Sequence, residues 1–354
     1  MSRKGGHAGR SSEPASPPVS ATGRVAASQF GRALCRSTGV WEQQLGSANF
    51  DDRLASAGKR VEQTLAELLA ARSPHSELER PARLVEAMRH ATLAGGKRLR
   101  PFLLLEAAQL FGADRRTPVR AAAAVELIHC YSLVHDDLPA MDDDDLRRGR
   151  PTVHRAYDEA TAILAGDSLL TLAFDCLADE RTDPDPAIRA ALVLALARAS
   201  GLGGMAGGQM LDLEAEGRFS AHGSPLALQE AEILRLQAMK TGALLTASAE
   251  MGAIVGRAGD SGRVAMRRYG HFLRQAFQIA DDLLDIEGDA STLGKSTQKD
   301  EAAGKATMAG ILGVEKAKDR LTQLVTDANA ALAPFGGKAD MLKAAARFVA
   351  ERQA

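Results

Sequence analysis

The sequence predicts an all-α fold, and three observations carry that prediction. From Asp52 onward apolar residues recur at helical spacing: Val61, Leu65 and Leu68 fall at i, i+4 and i+7, with charged residues between them. The alternation of a half-buried strand is nowhere sustained. Proline and glycine clusters cut the chain into helix-length pieces, and no fixed repeat period runs through it. The expected architecture is a single domain over residues 49–354, a bundle of about ten to twelve helices.

Residues 1–48 stand apart. They are rich in Ser, Ala, Gly, Pro and Arg, and Glu13 is the only acidic residue before Glu42. Such a segment buries too little apolar surface to order itself. An Arg-rich, Ser-rich, acid-poor composition is also that of an organellar transit peptide. A start assigned too far upstream would leave the same trace. The expectation is a disordered or targeting-like extension, with Trp41 and Phe50 marking where order begins.

The first helix runs toward Pro74, which ends it. A second covers about 81–93, with Pro81 in its first turn. After GGKRLRP at 95–101 another helix runs to residue 110. The segment 117–134 is apolar on most sides and belongs at the centre of the bundle. Further helices are expected near 153–178, 185–200, 203–216, 226–256, 260–287, 304–333 and 338–352. Breakers such as Asp183-Pro184, the Gly217 to Pro225 stretch and the Pro334 to Gly337 stretch separate them.

Composition narrows the function. An apolar content of 45% is ordinary for a globular protein. A formal net charge of −1 gives no basic field for nucleic acid or an anionic membrane, and 4% aromatics argues against a base-stacking surface. Cys35, Cys130 and Cys176 show neither paired nor metal-ligand spacing. Reduced thiols, and with them a cytoplasmic location, are expected. No apolar run approaches the roughly 18 residues of a membrane span, so no integral membrane association is expected.

The chemistry is concentrated in HCYSLVHDDLPAMDDDDLRRGRP at 129–151. Asp136 and Asp137 close an apolar run, Asp142 to Asp145 follow Pro139, and Arg147, Arg148 and Arg150 come next. Six carboxylates within ten residues repel one another unless cations neutralise them. Oxygen-rich sets suit magnesium, which bridges a few carboxylates to substrate phosphates. Neighbouring arginines suit the remaining phosphate oxygens. A solvated acidic loop with a basic counter-patch would look the same. The stretch FQIADDLLD at 277–285 breaks the tie. Asp281 and Asp285 are four apart and share a helical face, where like charges are destabilising without a partner. Two acidic clusters, each ending an apolar helix, can face each other across a cavity and clamp several metals on one polyphosphate.

Other motifs are weaker alone. In GGKRLRP, Lys97 and Arg100 are three apart and can point at one anion near a helix start, though a capping turn with surface cations fits equally. His129 precedes Asp136 by two helical turns, about 10 Å, on nearly the same face, with Ser132 between them. It fits a core histidine or a phosphate donor. Lys240-Thr241-Gly242 interrupts a long apolar helix, where a lysine needs an anionic partner. Gln278 stands three before Asp281, and Gln209 and Asp212 are also three apart. The loop after the second cluster supplies Lys295, Lys299 and Lys305.

These motifs, in this order, resemble the trans-isoprenyl diphosphate synthases, most closely the bacterial farnesyl diphosphate synthases. The resemblance runs from about residue 52 to the C-terminus. It implies an isoprenoid-synthase-type bundle around a central cavity, and a homodimer. It implies three magnesium ions, replaceable by manganese, on an allylic diphosphate. Asp136, Asp142 and Asp281 would be direct ligands, and Asp137, Asp282 and Asp285 would hold metal-bound water. Arg147, Lys240 and Lys295, with Lys305 further out, would contact the allylic diphosphate. Lys97, Arg100, His129 and Arg148 would hold isopentenyl diphosphate without metal. Oxygens of Thr241 and Gln278 and the Lys240 carbonyl would face the carbocation left when the allylic C1–O bond breaks. The departing diphosphate would take the final proton.

By the same resemblance, Tyr131 and Ser132, five and four before the aspartate pair, form the floor that limits chain length. A large aromatic at 131 implies a farnesyl product. The helical wheel places Ser132 closer than Tyr131 to the face of Asp136, so the tyrosine's role rests on the resemblance. The alternatives are a geranylgeranyl diphosphate synthase with the same mechanism, a terpene cyclase, and a non-catalytic synthase-like subunit. The presence of GGKRLRP and of two intact acidic clusters speaks against the last two.

Overall fold

A computed structural model describes residues 38–71, 78–114, 117–287 and 307–351, with side chains described from residue 49. Contacts divide the chain into two units between Gln43 and Gln44, and the helical bundle with its site belongs to Gln44–Ala354. The targeting expectation for the N-terminal extension rests on residues that lie mostly outside those described. Helix α1 begins at Thr38, within that extension, and ends at Leu68. Pro74, expected to end it, lies outside the described residues.

Helices follow as α2 (Ala82–Thr92), α3 (Leu99–Leu110), α4 (Val119–Asp136), α5 (Val153–Ala156), α6 (Glu159–Ala178), α7 (Pro186–Ser200) and α8 (Met205–Ala215). Then come α9 (Glu230–Gln237), α10 (Ala243–Val255), α11 (Asp260–Glu287), α12 (Met308–Leu312), α13 (Val314–Ala331) and α14 (Asp340–Glu351). Local chemistry sets several starts. The Asp158 carboxylate accepts from Thr161 N at 2.8 Å to begin α6, and Asp185 accepts from Ala187 N at 2.9 Å ahead of Pro186 in α7.

Helix α4 is buried all round from Ala121 to Ile128, as its lack of a polar stripe predicts. It packs on α6 and α3, while α10 packs on α3, α7 and α11. Phe50 of α1, Phe102 of α3 and Phe348 of α14 form an aromatic cluster with centroids 5.1–5.2 Å apart. The buried Tyr269 hydroxyl donates to the Leu342 carbonyl at 2.7 Å and ties α11 to α14.

Four sequence expectations need correction. The described part of the stretch 304–333 is two helices, parted at Gly313 with φ 78°. The stretch 153–178 is two helices, because Asp158 takes extended backbone and caps the second. The stretch 226–256 is broken by a five-residue π-helical turn, Ala238–Gly242. Two stretches, Glu159–Ala178 and Pro186–Ala215, do reach the length and apolarity of a membrane span. The second is two helices, and α6 lays one face on α4; a core helix has the same composition.

Candidate active site

Arg147 and Arg148 are neighbours in sequence and part in space. Leu146–Arg147 pairs antiparallel with Arg150–Pro151 in a minimal hairpin. Its turn has left-handed backbone at Arg148 and Gly149, with φ of 52° and 72°, the geometry of a tight hairpin turn. Arg147 turns to the aspartates, its Nε donating to Asp137 Oδ1 at 2.6 Å and its Nη2 to Asp144 Oδ2 at 3.2 Å. Arg148 turns the other way, and its Nη1 donates to the Gly95 carbonyl. Gly96, at φ 134°, must be glycine: a Cβ there would lie 2.8 Å from the Arg148 guanidinium.

That loop is anchored by Arg98, which caps α3 in left-handed backbone (φ 49°, ψ 36°). Its buried guanidinium donates to Glu126 Oε1 at 2.5 Å, to the Thr92 carbonyl at 2.6 Å and to Glu62 Oε1 at 3.3 Å. Lys97 and Arg100 flank this anchor. The Lys97 ammonium stands 5.7 Å from the Phe348 ring centre. Burial, then the charges of Arg100, Arg148, Arg98 and Arg147, hold the His129 pKa well below the usual range. His129 is therefore a neutral imidazole amid guanidiniums. Such a constellation suits an anion rich in acceptors.

The acidic side begins at Asp136, the last residue of α4. Burial pushes its carboxyl up to about 7; Lys240 and Arg147 oppose the rise, and Asp142 and Asp137 add to it. The following loop folds back so that Asp142 N donates to the Asp136 carbonyl at 2.8 Å. Arg218 clips the loop from outside, donating to the Ala140 carbonyl and, at 3.1 Å, to that of Met141. Asp142 is exposed, whereas Asp137 is buried against Arg147.

Lys240 enters from the π turn, an irregularity common at functional sites. Its Nζ donates to Asp212 Oδ2 at 2.5 Å. Gly208 lets α8 approach: a Cβ there would sit 2.1 Å from Lys240 N. On α11, Asp281 and Asp285 are exposed and share a face, one helical turn apart. Asp282 points elsewhere, is 3% exposed, and accepts from Gln278 Nε2 at 3.0 Å and Met308 N at 2.9 Å. Burial raises its pKa, and those donors oppose the rise. Lys295 and Lys305 lie outside the described residues.

The donor set fits magnesium. Its oxygens are hard ligands, and Asp136 is a carboxylate that burial disfavours until a cation stands beside it. Among the described residues no three acidic, histidine or cysteine side chains converge on one point. Magnesium is commonly held by one or two carboxylates with substrate phosphates completing its shell.

The sequence reading gave no role to Glu126 and Arg218, and quoted Arg98 within GGKRLRP and Asp144 within the acidic run without the partners the structure gives them, Glu126 and Arg147. An acid inside the apolar run of α4 was a signal for a buried partner. Nothing local marked Arg218, whose carbonyl partners lie 78 and 77 residues away.

A helical bundle that sets the guanidiniums of Arg98, Arg100, Arg147 and Arg148 around a neutral imidazole, with a run of carboxylates following in the same loop, has the chemistry to hold a phosphorylated anion. The polyprenyl synthetase family profile matches residues 81–333. The farnesyl diphosphate synthase of Escherichia coli is 45% identical over 291 residues, 80% of this chain and 91% of that protein. The large subunit 1 of the heterodimeric chloroplastic geranylgeranyl pyrophosphate synthase of Arabidopsis thaliana is 42% identical, covering 78% and 74%. The crystal structure of an FPP/GFPP synthase from Zymomonas mobilis superposes with a TM-score of 0.75 at 43% identity, covering 86% of this chain and 99% of that one. The chain belongs to the polyprenyl synthetase family: it has the all-α isoprenoid synthase fold and is a trans-prenyl diphosphate synthase.

Proposed function

We propose that the chain condenses isopentenyl diphosphate with dimethylallyl and then geranyl diphosphate, releasing farnesyl diphosphate. The observation that carries the product length is Tyr131. Burial first, then the Asp136 carboxylate, raises its phenol pKa, so the ring stands close to the carboxylate that begins the metal site. Its edge-to-face neighbour His135, centroid 5.8 Å away, fits against Gly166 of α6 with Nε2 3.1 Å from the Ile163 carbonyl. An aromatic so braced would make a firm floor for a growing chain. The Escherichia coli relative supports the farnesyl reading.

In this reading Lys97, Arg100, Arg148 and neutral His129 bind the diphosphate of isopentenyl diphosphate. Arg147 and Lys240 bind the allylic diphosphate, Lys240 exchanging Asp212 for the substrate, with Lys295 and Lys305 adding charge. Asp136, Asp142 and Asp281 would hold magnesium, which neutralises the leaving diphosphate as a Lewis acid. We assign Asp137 to orienting Arg147, Asp282 to orienting Gln278, and Asp285 to water at the edge of the site. Thr241, the Gln278 oxygen and the Lys240 carbonyl direct their dipoles at the allylic cation. Apolar walls exclude water that would trap it. A homodimer is supported by exposed apolar residues on adjacent helices, among them Ile163 and Leu164 of α6 and Leu194 of α7.

The test is diphosphate release from isopentenyl and dimethylallyl diphosphates. Magnesium should be required, and Asp281→Ala should lower turnover at least about 100-fold with little change in melting temperature. Near-wild-type turnover of that variant would sink the metal assignment.

A further inference from the structure

A cleft of about 710 Å³ opens between α9, α11 and the α12–α13 pair. Its size is that of a small-molecule site. Asp136, Asp281 and Lys240 do not line it; Gln278 is the one lining residue it shares with the candidate catalytic set. Its apolar lining is Leu234, Ala238, Ile279, Met308 and Leu312. Its rim carries Arg274, Lys316 and Arg320, with Glu230 and Asp319 also present.

The cations are not used by those acids. Among the described residues no ion pair joins Arg274, Lys316 or Arg320 to any carboxylate. Arg274 Nη2 meets only His271 Nδ1, at 3.0 Å, and Arg320 Nη2 reaches Gln275 Oε1 at 3.4 Å. Burial alone pulls the Arg274 pKa below its ordinary range, so this guanidinium is partly stripped of water and given no counter-charge. Burial, then Arg274 and Arg320, lowers the His271 pKa, which places all three groups together. An unpaired, desolvated charge is costly to keep, and an anion from solution removes that cost. Guanidinium is also the group best shaped for phosphate.

We propose that this cleft binds an amphipathic anion, its phosphate on Arg274, Arg320 and Lys316 and its apolar chain over Leu234, Met308 and Leu312. The site is independent of the catalytic reading. Because α11 carries both Arg274 and Asp281, an occupant would press on the helix that presents the second acidic cluster.

Dodecyl phosphate is the probe, since it has the headgroup and chain but no diphosphate. It is titrated calorimetrically into the whole protein, with EDTA removing the metal that the allylic site needs and inorganic pyrophosphate occupying the metal-independent isopentenyl diphosphate site. One saturable site is expected. Arg320→Met and Arg274→Met should each weaken it about tenfold or more. Arg320 is exposed, so its variant leaves the fold intact, and methionine keeps the stem that Arg274 lays against Gly242. Arg100→Met should leave binding unchanged, and dodecyltrimethylammonium should not bind. The proposal is overturned by absent saturable binding, by wild-type affinity in both cleft variants, by loss of binding in Arg100→Met, or by equal binding of the cationic amphiphile.

Discussion

Replacing Arg98 with methionine tests how the basic pocket is held. Arg98 is 4% exposed and Glu126, its main partner, 2%. The pair is 2.5 Å apart, and Arg98 also serves the Thr92 carbonyl at 2.6 Å. Removing one member of a buried pair strands the other charge and costs about 3–5 kcal/mol. The lost carbonyl bond adds about 1 kcal/mol. A domain of about 300 residues loses about 1.5–2 °C of melting temperature per kcal/mol, so Arg98→Met should melt roughly 6–12 °C lower. The double variant Arg98→Met, Glu126→Met should recover most of the loss, because an apolar pair replaces the ionic one at little cost. Thermal denaturation followed by circular dichroism reads both. Since Lys97 and Arg100 flank the anchor, the KM for isopentenyl diphosphate should rise several-fold in the single variant while that for the allylic substrate holds. A single variant melting within about 2 °C of wild type, by the same conversion, would refute the reasoning.

Other variants probe the acidic side. Tyr131→Ala should lengthen the product beyond farnesyl; an unchanged product, read by mass, would remove the tyrosine from the floor. Arg218→Met should raise the magnesium concentration for half-maximal activity and increase hydrogen exchange at Met141 and Asp142, since it frees the loop; unchanged exchange would leave Arg218 a surface residue. Asp136 carries a sign that can be checked. Its folded pKa, about 7, lies above the ordinary 3.8, so the folded protein binds that proton more readily. Metal-free protein therefore loses stability as pH rises from about 4 to about 7. Asp136→Asn should melt above metal-free wild type at pH 8, with the gap closing toward pH 4. Identical melting curves at pH 8 would contradict it.

Helix order and the central place of α4 were legible because burial leaves a periodic trace, and α4 had no polar stripe to spare. The aspartate pairs and GGKRLRP were legible because like charges so closely spaced demand an explanation. What escaped depends on three dimensions. The hairpin at 146–151 is too short to alternate, and only the backbone angle at Arg148 reveals it. That turn sends two adjacent arginines to different partners, Arg147 to Asp137 and Asp144 and Arg148 to the Gly95 carbonyl, and no spacing rule contains those contacts. Equally, Asp137 and Asp282 look like their neighbours in sequence; the helix turns them inward, where Arg147, Gln278 and Met308 N already hold them. The break ahead of α6 rests on a single capping aspartate, which the apolar pattern around it conceals.

The most direct measurement is the identity of the product. Purified protein is incubated with magnesium, isopentenyl diphosphate and dimethylallyl diphosphate, and the dephosphorylated alcohols are identified by mass. The account predicts farnesol as the main alcohol, with none formed when EDTA replaces magnesium. Geranylgeraniol as the main alcohol would contradict the Tyr131 floor, and no prenyl alcohol at all would contradict the proposed reaction.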